Sequence, residues 1–156
     1  MHRASRRSMN HEPTLRERAL RLLARREHSR AELARKLRPH VAPEDDLEAL
    51  LDDLSKRRQL SDERYTESRA NALSRKFGSA RIAQELRSKG VDRALAESAA
   101  AAARSTEVER ARAVWLRKFR KAAESREERA KQMRFLQSRG FSFDAIRAVI
   151  RGSDED

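Results

Sequence analysis

The chain has 156 residues, 38% of them apolar, but 25 are alanines, so large apolar side chains are too sparse for one thick core. It carries 37 Lys and Arg against 25 Asp and Glu, a formal net charge of +12 that makes polyanions natural partners. The lack of cysteine excludes disulfides and thiolate metal sites, no run approaches the roughly 20 apolar residues of a membrane span, and few β-branched residues leave almost no strand signal.

The class expected is all-α, built from thin modules packed edge to edge. Residues 1–12 show no periodicity and no apolar segment of a secretory signal, so a flexible basic leader and a cytoplasmic protein are expected. Thr14 with Glu17 forms a capping box, and Leu15, Ala19, Leu22 and Leu23 make the apolar stripe of a first helix ending near Glu27-His28. Ser29 with Glu32 caps a second helix that turns Leu33, Ala34 and Leu37 inward and stops at Arg38-Pro39-His40. Pro43 is expected at the first position of a third helix. Glu44-Asp45-Asp46 lies at its positive end and Lys56-Arg57-Arg58 at its negative end, with Leu47, Leu50, Leu51 and Leu54 between.

The next unit opens with Leu60 and Tyr65 flanking the Ser61 cap at hydrophobic-staple spacing, and its first helix runs toward Lys76. Ser79 is expected to cap a short helix with Ile82 and Leu86 on one face, Glu85 one turn before Lys89, and Gly90 ending it in the left-handed conformation. A helix from Asp92 follows with Val91, Leu95, Ala99 and Ala102 inward, its alanines suited to close helix approach. In the third unit Val108, Ala111, Trp115 (or Leu116) and Phe119 share a face among Arg110, Arg112, Arg117, Lys118, Arg120 and Lys121. Ser125 with Glu128 caps a helix carrying Met133 and Leu136. Phe141, Ser142 and Ile146 repeat the staple, and Val149 and Ile150 complete the last helix.

The second helices align without gaps. Leu33-Ala34-Arg35-Lys36-Leu37, Ile82-Ala83-Gln84-Glu85-Leu86 and Gln132-Met133-Arg134-Phe135-Leu136 place Leu37, Leu86 and Leu136 at intervals of 49 and 50 residues. Gly90 and Gly140 each fall four residues after that leucine, whereas the first unit has Pro39-His40-Val41. A unit of three helices repeated three times predicts an elongated, curved array: leader 1–12, repeats 13–58, 59–103 and 104–151, and an acidic, frayed tail 152–156.

With those residues in hand, the sequence resembles the RecX family of bacterial recombination regulators. The likeness spans Leu15 to Arg151. It rests on Leu22-Leu23-Ala24-Arg25-Arg26-Glu27-His28-Ser29-Arg30-Ala31-Glu32-Leu33, Leu60-Ser61-Asp62-Glu63-Arg64-Tyr65, Phe77-Gly78-Ser79-Ala80-Arg81-Ile82 with Glu85-Leu86 and Lys89-Gly90-Val91, and Phe135-Leu136-Gln137-Ser138-Arg139-Gly140-Phe141-Ser142. The resemblance implies three tandem three-helix modules without catalytic activity or cofactor. It also implies binding to RecA in the groove of RecA–DNA filaments, inhibition of RecA's ATPase, strand exchange and coprotease activities, and so regulation of homologous recombination, DNA repair and the SOS response. Direct contact with single- or double-stranded DNA occurs in some members. A monomer with no membrane association is expected.

Arginine suits carboxylate and phosphate partners alike through paired hydrogen bonds. Two basic patches are therefore candidates: Arg25, Arg26, Arg30, Arg35 and Lys36 in the first unit, and Arg117, Lys118, Arg120 and Lys121 in the third. Arg81, Arg87 and Lys89 are weaker candidates, and Lys89 has Glu85 as an expected local partner. Catalysis and metal binding find no support. The four histidines lack ligand spacing, the acidic runs match helix dipoles, no phosphate loop or nucleophile elbow occurs, and Trp115 and Tyr65 fall at core spacings. The alternative function is a helix-turn-helix-type protein reading duplex DNA, for which residues 92–103 are the candidate recognition helix.

Overall fold

The computed structural model describes residues 12–154; the predicted leader, apart from Glu12, lies outside the described residues. Within them the chain is helical and without strands: α1 (Leu15–Arg25), α2 (Arg30–Leu37), a 3-10 turn (Arg38–His40), α3 (Leu47–Lys56), α4 (Asp62–Ser74), α5 (Ser79–Ser88), α6 (Arg93–Arg104), α7 (Glu107–Phe119), α8 (Arg126–Ser138) and α9 (Phe143–Asp154). Three separate apolar clusters lie along the chain. The first joins Leu15, Leu33, Leu37, Leu51 and Leu54; the second Tyr65, Leu73, Ile82, Leu86 and Val91; the third Trp115, Leu136, Phe141, Ile146 and Val149. Each helix has one apolar stripe and cannot bury it alone, so triplets close on themselves. Three small cores in series make an elongated all-α array.

Thr14, Ser29, Ser61 and Ser125 accept from the backbone N–H three residues on, as their capping spacing predicts. Several sequence expectations are corrected. Pro43 lies in a turn rather than in α3. The Asp45 carboxylate accepts from Ala42 N–H, and Asp46 caps the helix by accepting from Ala49 N–H, so the helix begins only after both carboxylates are engaged. Gly78, not Ser79, is the N-cap of α5, because Ser79 turns both of its donors toward α7. Leu60 and Tyr65 do not staple: Leu60 packs in the first core and Tyr65 in the second. On α7 the buried face is Ala111, Val114 and Trp115, while Val108 and Leu116 are exposed. The Trp115 indole N–H donates to Gln132 Oε1 at 2.9 Å, which keeps a polar ring atom satisfied inside the third core. The expected tail is helical to Asp154, whose carboxylate holds Arg129 at 2.7 Å.

Helices α3, α5 and α8 end alike. The N–H of Gln59, Val91 and Phe141 reaches back to Leu54, Leu86 and Leu136, and the residue before each donor is left-handed. Gly90 and Gly140 take this geometry at φ +81° and +82°, but α3 uses Arg58 at φ +60°. A side chain there crowds its own carbonyl. Arg58→Gly is expected to stabilise the chain by about 1 kcal/mol, read as a higher urea midpoint at unchanged slope; a lower midpoint would show that the Arg58 side chain contributes more than its strain.

The modules are joined by a contact used twice. At the first junction the Ser29 hydroxyl, at the N-cap of α2, donates to the Lys89 carbonyl at the C-cap of α5 over 2.6 Å. At the second, the N–H of Gly78 at the N-cap of α5 donates to the Arg139 carbonyl at the C-cap of α8 over 2.8 Å. The second helices thus meet end to end, positive terminus against negative. A carboxylate then completes each joint. Asp62, the first residue of α4, accepts from Arg30 N–H at 2.7 Å, and Glu107, the first residue of α7, accepts from Ser79 N–H at 3.0 Å. Donors left over at a helix start are satisfied by the next module in the chain.

Candidate functional site

The first predicted patch is largely tied up within the fold. Arg26 grips Glu32 with both terminal nitrogens, at 2.8 and 3.1 Å. Arg30 bridges Glu48 and Asp52 at 2.9 and 2.7 Å. Lys36 donates to His28 Nε2 at 3.0 Å. Only Arg25 and Arg35 stay exposed with no side-chain partner among the described residues.

His28 is buried, with Nδ1 3.0 Å from the Arg26 carbonyl and Nε2 facing the Lys36 ammonium. This pairing requires a neutral ring protonated on Nδ1. Burial pushes the His28 pKa down against the help of the Arg26 carbonyl, and the charges of Arg26 and Lys36 add to the depression. Burial pushes the neighbouring Glu32 carboxyl up, but the Arg26 hydrogen bonds and the charges of Arg26 and Lys36 outweigh it, so its pKa is lowered. A ring harder to protonate when folded favours the unfolded state as pH falls, because the unfolded chain binds the proton first. His28 therefore contributes stability that is present above about pH 6.5 and lost as pH falls through the depressed folded value. Glu32 adds to the loss only at pH below the ordinary carboxylate range. Urea unfolding at pH 7.5 and 5.5 should show the wild type losing stability, with His28→Gln flatter over that interval; parallel profiles would refute the assignment.

The other candidates diverge. Arg87 lies 3.8 Å from Glu97. Lys89 does not pair with Glu85, which instead holds Arg69 at 3.2 Å; Lys89 occupies the C-cap, off the helical face that would align the two. Arg120, left-handed at φ +64°, ends α7 without a side-chain partner among the described residues, and Lys121 lies 3.7 Å from Glu124.

Three predicted cations, Arg81, Arg117 and Lys118, converge at the second junction with two that periodicity did not single out, Lys76 and Arg139. A cleft of about 280 Å³ opens there between α7, α8 and the loop after α4, lined by Lys76, Val114, Arg117, Lys118, Phe135 and Arg139. Arg81 and Arg139 lie over the Phe77 ring, 5.0 and 5.5 Å from its centroid. Arg139 and Lys118 lie over the Phe135 ring at 5.1 and 5.6 Å. Phe119 meets Phe135 edge to face at 5.4 Å, fixing that ring. Arg117 donates to the Arg75 carbonyl at 3.0 Å, tying the cleft wall to α4. No carboxylate lines this cleft, in contrast to the first module.

Arg110 braces the cleft from behind. Its guanidinium donates to the carbonyls of Ser74, Phe77 and Ala103 at 3.0, 2.6 and 2.7 Å, and its burial pushes its pKa down. Nothing in the helical pattern marks it, because its partners are backbone oxygens of another module. The missed cleft residues had one visible sign: Lys76 and Arg139 lie beside Phe77-Gly78 and Gly140, the residues that make the close junction. Among the described residues there is no cluster of His, Asp or Glu that could hold a metal, and no helix is long and apolar enough to cross a membrane.

Comparison with known proteins agrees with this architecture module by module. The family descriptions of the first, second and third three-helix domains of RecX match residues 16–54, 61–99 and 105–150. The chain is 50% identical over 143 residues to the regulatory protein RecX of Leptothrix cholodnii, covering 92% of this chain and 91% of that one. It is 48% identical over 143 residues to that of Herminiimonas arsenicoxydans, covering 92% and 95%. The crystal structure of RecX from Lactobacillus salivarius superposes with a TM-score of 0.77 at 25% identity, covering 91% of this chain and 96% of that one. With three consecutive modules matched in order and half the residues shared with a relative over nearly its whole length, the chain belongs to the RecX family of regulatory proteins.

Proposed function

We propose that this chain is a negative regulator of RecA. It lies in the groove of RecA–DNA filaments as a monomer and lowers RecA's ATPase, strand exchange and coprotease activities, so modulating homologous recombination, DNA repair and the SOS response in the cytoplasm. It acts by binding alone, without catalysis or a cofactor. The observation that carries this reading is the match of all three modules, in order, to a family of regulatory proteins. An array of linked modules supports it physically, since once one module docks the others bind intramolecularly. The free cations Arg25 and Arg35 at one end, and Arg81, Arg117 and Lys118 at the second junction, are the proposed contact groups; Arg120 and Lys121 flank the latter. A duplex-reading role gains no support from α6, whose Ala94, Ala101 and Ala102 are exposed and cannot hydrogen-bond base edges.

The test is RecA ATP hydrolysis on single-stranded DNA as this protein is titrated in. The rate should fall to a saturating low value, and a rate unchanged at excess protein would overturn the proposal. Reversing Arg117 and Lys118 to Glu should weaken inhibition, and so should reversing Arg25 and Arg35. Full inhibition by both variants would remove these residues from the contact surface.

A further inference from the structure

Helix α6 buries Ala96 and Ala100 in the second module, leaving Ala99 and Ala103 half-buried and Ala102 exposed. These three alanines and Leu95 face Thr66, Ala70 and Ser74 of α4 across an open groove of about 370 Å³. The two helices run parallel along it. Glu63 and Leu95 share a cavity at its start, and Ser74 and Ala103 both offer carbonyls to the Arg110 guanidinium at its end. The groove is therefore three turns long, roughly 16 Å at the helical rise.

Two observations mark it as a place something else occupies. Thr66 is 3% exposed on the groove floor, and its hydroxyl is the one buried side-chain polar atom among the described residues without a hydrogen-bond partner. A buried hydroxyl left unpaired works against the free chain. The second observation is charge. Glu63 and Glu67 stand exposed on the rim with no ion-pair partner among the described residues, and no Lys or Arg lines the groove. The chain as a whole is at +12, and the clefts at both junctions are lined by cations.

We propose that this groove docks a basic amphipathic helix of a partner protein. Small side chains on both walls let a third helix lie close against α4 and α6. Its apolar stripe would cover Ala70, Leu95 and Ala99, its Lys or Arg side chains would meet Glu63 and Glu67, and one polar side chain on the stripe would pair with the Thr66 hydroxyl. An extended segment fits less well, because α4 and α6 have paired their backbone groups internally and offer it no edge. Nucleic acid, an acidic peptide or an anionic membrane would be repelled by the rim. The docking is independent of RecA and uses a face of the chain other than its cationic contact groups.

The experiment is fluorescence anisotropy of a labelled helical peptide of about 15 residues titrated with the full chain. The peptide carries Leu at i, i+4 and i+7, Gln at i+3, and Lys on its flanks; its counterparts have Glu for Lys, or Ala for Gln. The Lys peptide should bind saturably and the Glu peptide should not. Glu63→Gln with Glu67→Gln should bind the Lys peptide about fivefold more weakly at low salt, with the difference closing toward about 1 M salt. The charge-matched pair Glu109→Gln with Glu127→Gln, exposed on the third module, should change binding less than about twofold. Ala102→Leu fills the groove from an exposed helical position and should weaken binding at least about tenfold. Thr66→Val should raise the urea midpoint of the free chain and abolish the preference for Gln over Ala in the peptide. The proposal is overturned if the Lys peptide does not bind, if the Glu peptide binds as well, if Ala102→Leu or Thr66→Val behaves as wild type, or if both Glu pairs lose affinity equally. Two further outcomes would assign the groove to another occupant and overturn it. One is peptide binding that tightens when Arg3, Arg6 and Arg7 are changed to Glu, which gives the groove to the chain's own leader. The other is self-association, by sedimentation, that Ala102→Leu abolishes, which gives it to a second copy.

Discussion

Gly78→Ala is expected to lower stability by about 3 kcal/mol, or roughly 10 °C in melting temperature. A Cβ at this position would overlap the Gly140 carbonyl oxygen and lie 2.5 Å from Gly140 C and Phe141 Cα. All three are backbone atoms, so no rotamer change can relieve the contact. The backbone they belong to cannot retreat freely either, since Phe141 N–H holds the Leu136 carbonyl and Phe141 itself fills the third core. Separating the surfaces would stretch the Gly78 N–H bond to Arg139 and open the cleft between the modules. Gly90→Ala provides a built-in contrast. Its Cβ would overlap only the Ala31 Cβ, so Ala31→Gly should recover the clash and leave the left-handed penalty of about 1–2 kcal/mol. Thermal melts of the three variants decide the point. A Gly78→Ala protein within about 0.5 kcal/mol of wild type would mean that the second junction slides without loss.

Glu107→Ala is expected to lower stability by about 2–3 kcal/mol. The carboxylate is buried, and one oxygen accepts from both the N–H and the hydroxyl of Ser79 at 3.0 Å. Truncation leaves two buried donors at the start of α5 without a partner, in a place water reaches poorly. Glu107→Gln keeps an acceptor in reach and loses only the charge, so its effect should be less than half as large. The equivalent carboxylate at the first junction, Asp62, is only partly buried, and Asp62→Ala should therefore cost about 1 kcal/mol. Urea denaturation gives the order Glu107→Ala, then Asp62→Ala. Amide exchange at Ser79 should accelerate in Glu107→Ala. Equal effects at the two joints would show that burial does not set their strength.

Much of the fold was legible because it depends on local rules. Thr14, Ser29, Ser61 and Ser125 cap helices by a hydrogen bond that spans three residues, and the four-residue spacing of Leu33 with Leu37 and of Ile82 with Leu86 follows from 3.6 residues per turn. The misreadings have local causes too. Pro43 obeys the rule for a first helical position, but Asp45 and Asp46 offered the backbone a better-satisfied turn. Leu60 and Tyr65 have staple spacing, yet the chain passes from one core to the next between them, and nothing local marks that passage. Val108 sits about 20° around α7 from Trp115, where period alone cannot place the edge of the buried face, whereas Leu116 lies about 100° beyond Trp115 and faces out.

The candidate site was legible only in part, since charge on a helix shows where a cation is attached and not what it meets. Arg26, Arg30 and Lys36 looked equivalent to Arg25 and Arg35 until Glu32, Glu48, Asp52 and His28 were placed beside them. Lys76, Phe77 and Arg139 came together with Lys118 because Gly78 and Gly140 let two modules approach at backbone distance.

By itself the amino-acid sequence determined the helical class, the caps at Thr14, Ser29, Ser61 and Ser125, the threefold repeat and the family, which rest on hydrogen bonds a few residues long, on spacing along one helix and on the recurrence of that spacing along the chain. Only the tertiary structure decided which cations are neutralised, which carboxylates close the joints and where a basic, aromatic cleft opens. Those depend on pairs more than 25 residues apart in some cases, such as Ser79 with Glu107, and no local periodicity encodes them.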